Sequence, residues 1–180
     1  MRKNLSCAVL FALVMTTCAF AQKDAKDKSQ RPSPPASASC DLGSGKTIKT
    51  DYSSPRMKGR KIYGGLVPYG AIWRTGANDA TTLVTSADIT VGGTAVPAGS
   101  YTIFTVPGAD KWSLVISKGT GEWGTEYPGA DKDLARVDMK VSPLSSSVEN
   151  FTIAYDKTAT GCTMRLDWES TSASVAISGK

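Results

Sequence analysis

The sequence predicts an all-β fold, a single antiparallel β-sandwich or jelly-roll-like domain, on three observations. From Lys46 onward apolar residues recur at every second position, which is the period of a strand with one buried face. Short Gly, Pro, Asp and Asn clusters separate these runs, and no run keeps a helical period for more than a turn or two. About nine or ten strands at this spacing are typical of two packed sheets.

The individual runs justify this assignment in order along the chain. Gly92-Gly93 predicts a two-residue hairpin between residues 89–91 and 94–96. Residues 107–110 and 157–161 are further turns between strands. In the last strand Arg165 and Asp167 are expected to face solvent, opposite the apolar positions. The apolar sets that alternate with polar residues are Trp112, Leu114 and Ile116, then Val137, Met139 and Val141, and finally Met164, Leu166 and Trp168.

The first 21 residues have the pattern of a secretory signal peptide. Arg2 and Lys3 precede an apolar run over residues 8–15, and Ala19-Phe-Ala21 matches a cleavage site. The run is too short to span a bilayer, which takes about 20 residues, so no transmembrane segment is expected. An alternative is a lipoprotein acylated at Cys18, but Thr17 is an unfavourable residue before that cysteine. The sequence therefore predicts export to the periplasm or the extracellular space.

Residues 22–39 are predicted to be a disordered linker, and residues 40–180 to form the domain. The linker has no aromatic or β-branched residue and is rich in Lys, Asp, Ser and Pro. It also explains the basic net charge of +5, because residues 40–180 hold 15 Lys and Arg against 14 Asp and Glu. A nearly neutral domain gives no support for a nucleic-acid partner. The oligomeric state stays open.

Two cysteines, Cys40 and Cys162, remain after removal of the signal peptide. An even pair in an exported protein predicts a disulfide, here between the start of the domain and a late strand. The chain contains no histidine, which excludes Ser-His-Asp and Cys-His catalysis and every His-ligated metal site. No metal site and no cofactor are predicted.

The segment from Tyr52 to Thr82 is the densest in cations, aromatic residues and glycines. It contains Ser54-Pro-Arg-x-Lys-Gly-Arg, Gly64-Gly-Leu-Val-Pro-Tyr-Gly and Trp73-Arg-Thr-Gly-Ala-Asn. With these motifs the chain resembles the bacterial domain-of-unknown-function family 2911 over nearly all of residues 46–177. The resemblance implies an exported bacterial protein and implies no activity.

Two interpretations of this segment compete. In the structural one, Trp73 is a core or edge aromatic residue and Arg74 pairs with Asp79 or another carboxylate. In the functional one, arginines make bidentate hydrogen bonds to an anionic group, while an aromatic ring stacks on a sugar or another planar group. The residues predicted to form the ligand site are Arg56, Tyr69, Trp73, Arg74, Asn78, Asp79, Glu122 and Trp123.

The leading functional hypothesis is a non-enzymatic, exported protein that binds a carbohydrate or an anionic small molecule. One alternative is a hydrolase that uses arginine and carboxylates, with Asp79 and Glu122 as the pair if their loops meet. Another is an envelope module that acts through protein–protein contact, for example by an exposed edge strand. The sequence does not distinguish catalysis from binding.

Overall fold

The computed structural model describes residues 28–179, so the predicted signal peptide and residues 22–27 of the predicted linker lie outside the described part of the chain. Nine strands account for most of the described residues, and the predicted all-β fold is confirmed. The strands are β1 (Pro35–Gly43), β2 (Lys46–Ser53), β3 (Thr81–Thr85), β4 (Ile89–Val91), β5 (Thr94–Val96), β6 (Gly99–Val106), β7 (Lys111–Ser117), β8 (Asp133–Lys157) and β9 (Gly161–Gly179).

Hydrogen bonds connect all nine strands into one antiparallel sheet with the order β1-β2-β3-β6-β7-β8-β9-β4-β5. The sheet curls until β1 lies against β8 and β9, so that its inner face packs on itself. The predicted disulfide between Cys40 on β1 and Cys162 on β9 is confirmed and fastens this closure. The hairpin of β4 and β5 also has the predicted register, with Ile89 opposite Val96.

Strands β8 and β9 form one long, bent hairpin. Residues 140–143 of β8 pair with residues 171–174 of β9, whereas residues 152–157 pair with residues 162–167 after two shifts of register. Such irregularities bend a strand and increase its twist. Because of these bends, the two halves of the hairpin run along different parts of the core.

Alternation places the inner face of the core as predicted, although Val115 and Ser117, which alternate with the inner-facing residues of β7, are buried as well. Trp112, Leu114, Met164 and Leu166 are fully buried together on the inner face. Asp167 was expected to face solvent, but it is buried in the structure. The Arg165 guanidinium covers one of its carboxylate oxygens, so the ion pair allows this polar position to be enclosed.

The domain begins earlier than the sequence predicts. Residues 35–39, assigned to a disordered linker, form the first half of β1 and pair with β2 from Pro35 opposite Ser53. Their side chains are small, but the backbone hydrogen bonds of a sheet do not depend on side-chain size. Ala38 packs against the core, and Cys40 fixes the same strand to β9.

Candidate functional site

Residues 54–80 form an irregular segment that crosses one end of the core. Its first part is held on β8, where Met57 N–H donates to the Glu149 carbonyl at 2.8 Å. Its later part is held on β6, where Trp73 and Thr105 exchange two backbone hydrogen bonds of 2.8 and 2.9 Å. Because both ends are paired with strands, the segment places its side chains at fixed positions over the core.

A cluster of aromatic rings lies under this segment. Trp73 stacks on Trp168 with ring centroids 6.0 Å apart, and Tyr63 meets Trp112 edge-on at 4.8 Å. The indole N–H of Trp73 donates to the Gly76 carbonyl at 3.1 Å. A side chain at Gly76 would place its Cβ 2.9 Å from a backbone oxygen, so glycine permits this close turn. The cluster gives the segment a rigid floor.

A cleft of about 330 Å³ opens between this floor and the surrounding loops. Among the described residues, its lining contains two cationic side chains, Arg60 and Arg74, and no carboxylate. The lining residues are Ser33, Pro55, Arg60, Leu66, Val67, Pro68, Ala71, Ile72, Trp73, Arg74, Gly76, Ala77, Thr125 and Trp168. An uncompensated positive charge in a partly enclosed site attracts an anion.

Arg74 has no hydrogen bond or ion pair with any of residues 28–179, and its Nε–H is buried without an acceptor. Burial lowers the pKa of its guanidinium below the usual value for arginine. Arg74 therefore does not pair with Asp79 or with any other carboxylate among residues 28–179, in contrast to the structural interpretation. The Asp79 carboxylate instead lies 3.7 Å from Lys28 and 3.5 Å from Arg31. The terminal nitrogens of Arg74 are also unpaired among the described residues and are not among the buried atoms, so they are suited to an acceptor that enters the cleft.

Arg56 and Arg60 extend the positive charge beyond the cleft. Arg60 donates to the carbonyls of Met57 at 2.9 Å and Arg56 at 2.6 Å, which fixes its guanidinium. A second hollow of about 340 Å³ shares Ser33 and Arg60 with the cleft and is also lined without a carboxylate. Arg56 belongs to this adjoining hollow and not to the cleft itself.

The segment before β1 forms one wall of the cleft through Ser33. Asn78 holds it there, because its side-chain amide donates to the Ser33 carbonyl at 2.9 Å. Ser54 N–H adds a bond of 2.9 Å to the Pro34 carbonyl. Asn78 thus supports the wall and does not line the cleft, in contrast to its predicted role in contacting the ligand.

Tyr69 and Trp123 lie apart from the cleft, although both are exposed. The Tyr69 ring covers Gly64, where a Cβ would lie 2.8 Å from the ring. The Trp123 ring has the Arg31 guanidinium 6.0 Å above its centroid. Neither ring lines the cleft, and Tyr69 and Trp123 keep 49% and 54% of their surface exposed.

The loops of Asp79 and Glu122 meet, as the hydrolase alternative requires. Ala80 N–H donates to the Glu122 carbonyl at 3.2 Å. However, the Glu122 carboxylate accepts a hydrogen bond from the Thr102 hydroxyl at 2.8 Å, and neither acidic residue lines the Arg74 cleft. Within residues 28–179 no three acidic or cysteine side chains converge as a metal site would require.

Sequence reasoning missed several residues that complete the cleft, namely Ser33, Leu66, Pro68, Thr125 and Trp168. Leu66 and Pro68 stand in the Gly64-Gly-Leu-Val-Pro motif, so that motif was an available signal. Ser33 and Thr125 carry no such signal, since they reach the cleft only through long-range contacts. Of the eight predicted residues, only Trp73 and Arg74 line the cleft together.

These features define an all-β domain with a basic cleft over an aromatic floor. The family described as "Protein of unknown function (DUF2911)" matches residues 33–177, and the chain belongs to this family. The match begins at the cleft residue Ser33, two residues before β1. No curated protein and no solved structure matches the chain. In the described part of the chain, no helix has the length and apolar character needed to cross a bilayer.

Proposed function

We propose that this chain is an exported, non-enzymatic protein that binds an anionic small molecule in the Arg74 cleft. The observation that carries the proposal is the Arg74 guanidinium, which lines the cleft, has no acceptor among residues 28–179 and has no carboxylate beside it among the described lining residues. A ligand carboxylate, phosphate or sulfate would accept from the planar guanidinium in a bidentate arrangement. Arg60 adds a second positive charge beside it.

Burial of Arg74 also supports binding in energetic terms. The charge has already lost part of its hydration in the folded protein, so less water must be removed when an anion enters. The aromatic floor keeps the surrounding backbone in place, which lowers the ordering cost of binding. Both effects lower the free-energy cost of binding an anion in the cleft.

The proposal is tested by calorimetric titration of the mature protein with acetate, benzoate, phosphate, sulfate and glucuronate. Arg74→Gln and Lys140→Gln each remove one positive charge, but Lys140 is an exposed residue of β8 outside the cleft. At least one anion is expected to bind, with affinity reduced tenfold or more in Arg74→Gln and less than twofold in Lys140→Gln. Equal losses in the two variants would reduce the effect to net charge and overturn the proposal.

Export is supported by the disulfide, because such bonds persist in oxidising compartments. The predicted signal peptide ends at Ala21. Mass analysis of the protein recovered from the periplasm or medium should therefore find a chain that begins at Gln22 with Cys40 and Cys162 oxidised. Recovery of the intact chain from the cytoplasm would contradict export.

A further inference from the structure

The lining of the cleft combines two positively charged side chains with a largely apolar surface. Among the described lining residues, the side chains that can hydrogen-bond a ligand are two arginines, one serine and one threonine. The indole N–H groups of Trp73 and Trp168 already donate to the carbonyls of Gly76 and Glu149. The remaining wall is aliphatic, with Leu66, Pro68 and Ile72 among its members. Leu66 keeps 47% of its surface exposed, which places a large apolar side chain beside the cationic groups.

We infer that the ligand class is a carboxylic acid with an apolar body, an acyl or aryl acid. This inference rests on the proposed anion site and adds what the rest of the ligand must be. The carboxylate pairs with the Arg74 guanidinium, and the carbon body covers the wall formed by Leu66, Pro68 and Ile72. Contact between the carbon body and the wall removes apolar surface of both the ligand and the protein from water, and this burial contributes to affinity.

The same lining disfavours a sugar acid. A sugar ring brings several hydroxyl groups, and each one that is buried without a partner costs free energy. The lining has no Asp, Glu, Asn or Gln to receive them, and only Ser33 and Thr125 carry hydroxyls. Inorganic phosphate or sulfate would use the arginines but leave the aliphatic wall in contact with water.

The size of the cleft limits the length of the acid. Its volume of about 330 Å³ equals roughly ten water volumes at about 30 Å³ each. An acid of about six to ten carbons fills such a space, whereas a long lipid chain would extend out of it. The inference therefore specifies a medium-length or single-ring acid.

The test is a titration series on the mature, disulfide-bonded protein with acetate, butanoate, hexanoate and octanoate, followed by glucuronate and phosphate. Affinity is expected to rise up to about fourfold for each added CH₂ until the cleft is filled. Arg74→Gln should weaken the whole series, because all members share the carboxylate. Hexanoate should bind more tightly than glucuronate and phosphate.

A matched pair of variants tests the apolar wall. Leu66→Ser removes an exposed apolar side chain from the cleft, and Val84→Ser removes one that is 40% exposed on β3, outside the cleft. Leu66→Ser should flatten the rise of affinity with chain length, and Val84→Ser should leave it as in the wild type. Because both residues are exposed, neither variant is expected to prevent folding.

The outcomes separate this inference from the proposed function. Glucuronate or phosphate binding more tightly than hexanoate, with loss in Arg74→Gln, would overturn the apolar-acid class and retain the anion site. Affinity that rises with chain length but is unaffected by Arg74→Gln would place the acid elsewhere and overturn both. Absence of binding by every anion would likewise overturn both.

Discussion

Two arginines of this chain have opposite surroundings. On the ladder of β8 and β9, Arg165 contacts the carboxylates of both Asp156 and Asp167, and its pKa is raised chiefly by the hydrogen bond to Asp156. At the cleft, Arg74 has no acceptor in the described chain, and burial lowers its pKa. One guanidinium is paired within the fold, and the other has no acceptor among residues 28–179.

Tyrosine hydroxyls repeat this difference. Tyr155 on β8 shares a hydrogen bond of 2.6 Å with the Thr50 hydroxyl, whereas the Tyr63 hydroxyl under the cleft is buried without a partner. Of the three buried side-chain atoms that have no partner among residues 28–179, two lie at the cleft, Arg74 Nε and the Tyr63 hydroxyl, and one lies on the ladder, the second carboxylate oxygen of Asp167. Unsatisfied buried groups lower stability, and they concentrate where a protein binds or reacts.

The largest expected effect comes from the disulfide, because β1 connects the two regions. The strand follows Ser33 at the cleft and is fixed to the ladder through Cys40 and Cys162. The bond closes a loop of 122 positions, so the double variant Cys40→Ser/Cys162→Ser should lose on the order of 4–5 kcal/mol of unfolding free energy. Urea unfolding measures this loss, and an unchanged midpoint would show that β1 is held without the bond.

The next largest effect is a fall in stability at high pH, which tests the burial of the Tyr155 hydroxyl. Burial raises the pKa of Tyr155 to about 12, and the bond to Thr50 opposes this only in part. Below pH 10 the phenol is neutral in the folded and unfolded states, so its contribution is complete. Between about pH 10 and 12 only the unfolded state ionises, so stability falls by about 3 kcal/mol.

Unfolding free energies of the wild type and Tyr155→Phe at pH 8 and pH 11 check this expectation. The variant should lose less stability between these two pH values, since it has no phenol to ionise at this position. It should still lose some, because burial also raises the pKa of Tyr52 and Tyr63. Identical pH slopes in the two proteins would contradict the assignment to Tyr155.

A third prediction compares the two arginines directly. Arg165→Met leaves the buried Asp167 without its cation and should cost about 1–3 kcal/mol of stability. Arg74→Met removes a guanidinium that pairs with nothing in the described chain, so stability should stay within about 1 kcal/mol or increase. Thermal unfolding with anion titration of both variants should show loss of stability in one and loss of binding in the other.

The smallest effect is expected at the Tyr63 hydroxyl. Tyr63→Phe removes a buried group that has no hydrogen-bond partner, so the change in unfolding free energy should be about 0.5 kcal/mol or less, in either direction. Tyr155→Phe at neutral pH removes a hydrogen-bonded hydroxyl and should cost about 1 kcal/mol. A larger loss in Tyr63→Phe than in Tyr155→Phe would reverse the proposed difference between the two regions.

Several parts of the fold followed from the sequence. The apolar residues Trp112, Leu114 and Ile116 at every second position gave the correct inner face of β7, and Gly92-Gly93 gave the correct hairpin. Such patterns are local, so they can be recognised within a few residues. The start of β1 at Pro35 was not recognised, because the alternation of Ala and Ser over residues 36–39 is a weak apolar signal and its pairing depends on β2.

The site was predictable only in part. A dense segment pointed to Trp73 and Arg74, but it could not show that Asp79 turns toward Lys28 and Arg31. Asn78 was expected at the ligand and instead holds the chain at Ser33. These outcomes depend on contacts between residues distant in sequence, which neither composition nor spacing contains.

The sequence alone determined the strand class and the pairing of the two cysteines, because hydrophobic period and cysteine parity are properties of the chain itself. Only the tertiary structure decided which charges neutralise each other. Arg165 met two carboxylates and Arg74 met none, since the path of the backbone and not the residue type brings acceptors within reach. The candidate site exists because folding left the partly buried Arg74 without a partner among residues 28–179.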